Sequence, residues 1–206
     1  MARRASRSRP RLVLASLNPG KARELASLLG DLPFEVVSLS TIPGAALPPE
    51  GDESYRANAI AKARAAVRAA GAIAMADDSG LEVDALGGRP GVHSARYGGP
   101  GLSDAERCAA LLAQLKGAAP ERRTARFRCV VALVAPDGRE EVVEGAVEGV
   151  ITDAPRGTGG FGYDPLFYYP PLGRTFAELD PSVKNGISHR ARAVAAAREV
   201  LKRWVS

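Results

Sequence analysis

Ala74-Met75-Ala76-Asp77-Asp78-Ser79-Gly80-Leu81-Glu82-Val83-Asp84 is the stretch on which the reading of this chain turns. Its apolar lead-in, residues 72–76, predicts a short buried strand that ends in two adjacent carboxylates and a Ser-Gly bend. Uncompensated charge at the edge of a core is costly. Paired acids there call for a divalent cation or a proton-transfer task, and hard cations such as Mg²⁺ select oxygen ligands. The competing reading is a solvated strand end that opens into an Asx-type turn.

Working outward, residues 12–15 predict a first strand, followed by the turn Asn18-Pro19-Gly20 and a helix over 21–29. A second strand is expected at 34–39 and a Pro/Gly-rich loop at 41–52. Residues 54–70 carry Ala59, Ala63, Ala66 and Val67 at helical spacing, with Gly71 as the stop. After a Gly/Pro-rich connection over 87–101, Ser103 is placed to cap a helix running to 115. Residues 124–135 and 140–151 read as two strands joined by the hairpin signal Asp137-Gly138. A glycine-rich loop over 153–165 and a last helix over 188–204 close the chain. Strands interleaved with helices, plus one long hairpin, give a mixed α/β fold with two lobes flanking a groove. No Gly-x-Gly-x-x-Gly follows the first strand, which excludes a Rossmann reading.

A chain of 206 residues suits one domain with a sizeable core. The formal charge of +5 is concentrated: Arg3, Arg4, Arg7, Arg9 and Arg11 meet no acid in the first eleven residues. Without those five, 23 of the 28 basic residues remain to face 23 acidic ones, so the body is neutral. The basic balance therefore belongs to an arm, residues 1–10, expected to be disordered, with 11–206 expected as the domain proper. It argues neither for nucleic-acid binding nor, with no long apolar run, for a membrane. Cys108 and Cys129 have no metal-type spacing and read as small core residues of a cytoplasmic protein.

Three further segments carry chemistry. Ser16-Leu17-Asn18-Pro19-Gly20-Lys21 lies where strand gives way to helix, where backbone N–H groups and the helix dipole favour an anion. Asn18 can cap, Pro19 suits the first turn and Lys21 would stand over a phosphate. In Gly157-Thr158-Gly159-Gly160-Phe161-Gly162-Tyr163-Asp164-Pro165 the glycines let backbone fold closely about a ligand, the aromatics offer a stacking face and Asp164 an acceptor. Lys184, His189 and Arg190, gathered at the mouth of the last helix around Ser188, make an electropositive site. A surface lysine, a flexible hairpin exit and a capped helix with solvated basic residues are the respective ordinary explanations.

The combination is more specific than its parts. Ser-x-Asn-x-x-Lys, Asp-Asp-Ser-Gly-Leu, Pro-Gly-x-x-Ser-Ala-Arg-Tyr, Gly-Phe-Gly-Tyr-Asp-Pro and Ser-His-Arg occur in one order. From about Arg11 to Trp204 the chain resembles the non-canonical purine nucleoside triphosphate pyrophosphatases, the inosine triphosphatase family. That resemblance implies an elongated central sheet with two lobes around a nucleotide cleft, and hydrolysis of ITP, dITP or XTP to the monophosphate and pyrophosphate. It also implies Mg²⁺ and a cytoplasmic homodimer. By position, it gives Ser16, Leu17, Asn18, Pro19, Gly20 and Lys21 the triphosphate, Asp78 a metal ligand and proton acceptor, and Glu50 a second metal carboxylate. Ser79, Phe161, Gly162, Tyr163, Asp164, Lys184, His189 and Arg190 become substrate contacts. Leu17 stands where the family more often has glycine, and Ala57-Asn58-Ala59 replaces the usual Glu-Asn-Ala.

Those residue types suit attack by water between the α and β phosphorus atoms. Carboxylate-held Mg²⁺ reduces repulsion, and Lys21 answers charge on departing pyrophosphate. Whether Asp77 or Asp78 takes the proton is open, since neighbouring acids titrate as a pair. Donors from His189 or Arg190 would favour a 6-oxo purine over adenine. Two rivals stand beside this reading: a Maf-like pyrophosphatase of modified nucleotides, and a non-catalytic nucleotide- or RNA-binding module using the Arg-rich arm.

Overall fold

The structure, a computed structural model, describes residues 9–205. Most of the expected arm, residues 1–8, lies outside them. Seven strands form one mixed sheet in the order β2-β1-β3-β4-β5-β6-β7. They are β1 (Arg11–Leu14), β2 (Glu35–Ser38), β3 (Ile73–Val83), β4 (Thr124–Val134), β5 (Glu140–Ile151), β6 (Phe167–Tyr169) and β7 (Arg174–Thr175). β1 runs parallel to both β2 and β3, and every later pairing is antiparallel. Among the helices are α1 (Pro19–Leu29), α2 (Tyr55–Ala70), α3 (Asp104–Gln114), α4 (Pro181–Ile187) and α5 (His189–Val205).

The helix boundaries follow from local chemistry. Asn18 caps α1 with Pro19 in its first turn, Ser54 caps α2, and Gly71 ends α2 in the left-handed region at φ +60°. Ser103 and Glu106 form a capping box on α3. Asp137-Gly138 turns β4 into β5 with Gly138 at φ +92°. On one face of the sheet, α1 and α5 bury Leu25, Leu29, Val194 and Leu201 against Leu12, Met75 and Val131. On the other, the small residues Ala59, Ala63 and Ala66 let α2 lie close to Val13, Ala74 and Ala132. A third cluster joins Leu111 of α3 to Leu81, Phe127 and Phe176 at the far end. Both cysteines are buried and free.

Two expectations are corrected. The strand predicted to stop at residue 76 runs on through both acids, Ser79 and Gly80 to Val83, because β4 supplies a continuous partner from Val134 back to Ala125. Asp77 and Asp78 are therefore mid-strand residues directed to opposite faces of the sheet. The chain after residue 165 is also richer than expected, with β6, β7 and α4 formed before the last helix begins. Among the described residues no helix is long and apolar enough to cross a membrane.

Candidate active site

Alternation along β3 sends its two carboxylates to different partners. Asp77 is fully buried beside α1 and α5; its Oδ2 receives Arg190 Nη2 at 3.1 Å and Nε at 3.3 Å, with Lys21 Nζ at 3.4 Å. Burial alone would raise its pKa, but Lys21, Arg190 and Lys62 outweigh burial and hold the carboxyl well below the usual range. Its Oδ1 is buried without a partner. Asp78 lies on the α2 side, where Lys62 Nζ donates at 3.0 Å and Asn58 Nδ2 at 3.1 Å. Here burial, reinforced by Glu50, prevails over Lys62 and raises the pKa. The surroundings thus shift two adjacent carboxyls in opposite directions.

Glu50 meets the same ammonium as Asp78: Lys62 Nζ donates to Glu50 Oε1 as well. The loop bearing Glu50 is tied to α2, since Asn58 exchanges two hydrogen bonds with the backbone of Gly51, at 2.8 and 3.1 Å. Two hard oxygen donors from distant parts of the chain therefore converge on one point. Among the described residues no three His, Cys, Asp or Glu side chains gather as a metal cage. The donor set suits a cation that takes one or two carboxylates and completes its shell with phosphate and water, as Mg²⁺ does.

Ser16 to Lys21 fill the corner between β1 and α1. Asn18 Oδ1 accepts the N–H groups of Gly20 at 2.9 Å and Lys21 at 3.1 Å. The backbone donors expected to face a phosphate are here engaged by the cap. Pro19 serves the helix start, and Leu17 projects into solvent, 60% exposed. One cavity takes in Ser16, Leu17, Glu50, Lys62 and Asp77, and an adjoining one takes in Ser79, Phe161, Asp164, Lys184, His189 and Arg190. Asn18, Lys21 and Ala95 line both. Gly162 and Tyr163 also line the second, while Gly20 packs behind the Phe161 ring. Asp78 lines neither and reaches the first through Lys62.

The electropositive site expected around Lys184, His189 and Arg190 is corrected. Lys184 sits on α4, not at the head of α5, and its Nζ meets Glu24 at 2.9 Å and also Asp164. Arg190 is buried between Glu24 and Asp77 and donates to Ser79 Oγ at 2.9 Å. Burial would raise Glu24, yet Arg190 and Lys184 hold it below the ordinary value. Burial followed by the nearby Arg190 and Lys184 drives His189 well below 6.5, so its ring is neutral. It stacks on Phe127 with centroids 4.8 Å apart. The cations are therefore matched by acids, and Phe161 lies under two of them, 4.9 Å from Lys184 Nζ and 5.6 Å from Arg190 Cζ.

Sequence reasoning passed over Lys62, Asn58 and Glu24. Lys62 shares the buried stripe of α2 with Ala59, Ala63 and Ala66, so its helical phase was the available signal. Glu24 offered a weaker one, standing one turn after Lys21.

A sequence model described as the Ham1 family matches residues 12–200. The dITP/XTP pyrophosphatase of Desulforamulus reducens is 51% identical over 193 residues, covering 94% of this chain and 96% of the relative. That of a Thermus thermophilus strain is 49% identical, covering 93% and 92%. Among solved structures, a HAM1 protein from Coxiella burnetii superposes with a TM-score of 0.85 at 42% identity, covering 94% of this chain and 99% of its own. The dITP/XTP pyrophosphatase of Mycobacterium abscessus gives 0.74 at 47% identity, covering 91% and 98%.

Proposed function

This chain belongs to the Ham1 family, and from that premise we propose that it hydrolyses ITP, dITP and XTP to the monophosphate and pyrophosphate. The observation that carries the reading is the joining of two unlike cavities at Asn18 and Lys21. One brings Glu50 and Asp77 together with Lys21 and Lys62, fit for a triphosphate with its cation; the other is walled by Phe127, Phe161, Tyr163 and His189, fit for a base.

In this reading Glu50 and Asp78 are the ligands of Mg²⁺, which supplies charge neutralisation among the phosphate oxygens and orients water. Asp78 also accepts the proton of the attacking water. Lys62 keeps the two carboxylates together before substrate arrives. Lys21 stabilises charge on the departing pyrophosphate. Phe161 gives the purine its flat face. The neutral His189 offers a donor on one ring nitrogen and an acceptor on the other, and a donor aimed at a 6-oxo group leaves adenine's amine unmatched. In the same reading the protein is cytoplasmic and acts as a homodimer, the latter tested by light scattering of the purified protein.

The deciding experiment incubates purified protein with ITP, dITP, XTP, ATP or GTP, in Mg²⁺ or in EDTA, and identifies the released phosphate species. Pyrophosphate from the first three, lost in EDTA, is expected. Orthophosphate as product, or ATP and GTP turned over equally well, would overturn the reading; poor turnover of ITP and XTP would favour the Maf-like rival.

A further inference from the structure

Phe161 is a partition between two spaces. On one side of the ring lies the base cavity; on the other is a rear cavity reached past Gly20, Glu24, Leu179 and Asn185. The ring leans on α1, where a Cβ added to Gly20 would come within 2.9 Å of Phe161 Cδ1. The backbone on both sides of Phe161 is left-handed glycine, Gly160 at φ +72° and Gly162 at +60°. Such a segment has little stiffness of its own, so something outside it must fix the ring.

Two contacts supply that restraint: within the loop Asp164 Oδ2 accepts the Phe161 N–H at 2.9 Å, and from across the fold comes the head of α3. Asp104 Oδ2 accepts the N–H of Gly162 at 2.7 Å, and one turn later Cys108 Sγ lies 3.5 Å from the Gly162 carbonyl oxygen. Asp104 is steadied by Arg107, which also donates to the Leu102 carbonyl. Asp104 and Arg107 both line the base cavity, whereas the phosphate cavity draws its walls from other elements. An acid in the first turn of a helix is favoured by the dipole alone. The dipole does not account for its bond to a loop 58 residues away in sequence.

We infer that Asp104 is a positioning residue for purine recognition, holding the Phe161–Gly162 corner so that the ring stays between the two cavities. The inference rests on the assignment of the base cavity under the proposed function. With that catch removed, only the Asp164 bond at the Phe161 N–H and the weak Cys108 contact restrain the corner, so the ring can tilt on its glycines, the base loses part of its stacking face, and the cavity opens toward the rear space. The phosphate half keeps its own supports. Loss should therefore fall on the nucleoside part of the ligand.

The test titrates wild type, Asp104→Ala and Asp104→Asn with dIMP and, separately, with Mg²⁺-pyrophosphate by calorimetry, and compares dITP with dGTP turnover. Asp104→Ala should bind dIMP about tenfold more weakly, keep its pyrophosphate affinity, and lose part of its preference for dITP. Asp104→Asn retains an acceptor and should restore dIMP binding. Asp104→Ser suits a helix start but is too short to reach Gly162, so it should reproduce the split if the alanine variant fails to fold. Unchanged dIMP affinity in the truncated variants, or equal loss of both ligands, overturns the inference. A wild type that neither binds dIMP nor cleaves dITP would instead overturn the functional reading, and this inference with it.

Discussion

A buried carboxylate can serve as a base or as a counter-ion, and its neighbours decide which. Asp77 is held ionised between Lys21 and Arg190, whereas burial outweighs Lys62 at Asp78. Asp78→Asn preserves shape and leaves Lys62 its Glu50 partner. It should lower kcat for dITP by about 10²–10⁴-fold, with a melting temperature near that of wild type; a variant with normal kcat would remove Asp78 from the reaction. His189 supplies a pH signature. The unfolded chain protonates this residue near pH 6.5, while the folded state keeps it neutral to well below that value. Below pH 6.5 the unfolded state therefore binds the extra proton, and stability falls as pH drops, by at most about 1.4 kcal/mol per pH unit. Carboxylates held below their ordinary values begin to cost stability only as the pH approaches their unfolded values, near 4. Asp78 and Asp164, raised by burial, act in the opposite sense, so denaturant melts at pH 7.0, 6.0 and 5.0 should show the His189 slope as the difference between wild type and a His189 variant. His189→Gln should be less stable throughout and lose less as pH drops; an equal slope would assign the effect elsewhere.

Among the elements, β3 carries the strongest constraint. A Cβ at Gly80 would stand 2.3 Å from the Gly91 carbonyl oxygen, 2.6 Å from Ser94 Oγ and 2.7 Å from the Tyr55 hydroxyl oxygen. Ser94 fastens the helical turn Gly91–Arg96 to β3 through Leu81 N–H, and its carbonyl accepts the Tyr163 hydroxyl at 2.9 Å. Gly80→Ala must push that turn away and loosen the base loop with it. Overpacking of this kind costs about 1–3 kcal/mol, so a melting point several degrees lower and a raised KM for dITP are expected. A crystal structure of the variant with Gly91–Arg96 undisplaced would refute the account. The same strand shows what sequence conveys and what it hides. The apolar run and the acids were legible, as were Asn18 and Ser103 as caps and Asp137-Gly138 as the hairpin. The continuation of β3 through Asp77 and Asp78 was not. Charge ends a strand by periodicity, and only long-range partners (Lys21 from α1, Lys62 from α2, Arg190 from α5) make it tolerable within one. The short β6 and β7 and α4, with Asn185 and Gly186 in its last turn, had too few residues for a pattern to show.

Across the whole molecule, the two cavities are joined by charge as well as by space. Lys21 ends the phosphate corner near the start of the chain, Arg190 stands at the head of the last helix, and both close on Oδ2 of the one Asp77 carboxylate. Arg190 also reaches Glu24, which in turn holds Lys184 against the base loop. Residues that share a buried partner are not independent, and their interaction energies run to about 0.5–3 kcal/mol. Lys21→Met relieves Asp77 of one cation and tightens its claim on Arg190; Arg190→Met does the reverse. In a double-mutant cycle on kcat/KM for dITP, the double variant should therefore fall short of the summed single losses by about 1–2 kcal/mol. Melting temperatures must accompany the cycle, because Arg190→Met also leaves Glu24 with Lys184 alone. Repeating the cycle in an Asp77→Asn background separates a shared carboxylate from a general loss of order. If Asp77 is the link, the coupling there should shrink toward zero, whereas additive losses in the native background would mean that phosphate and base are gripped independently.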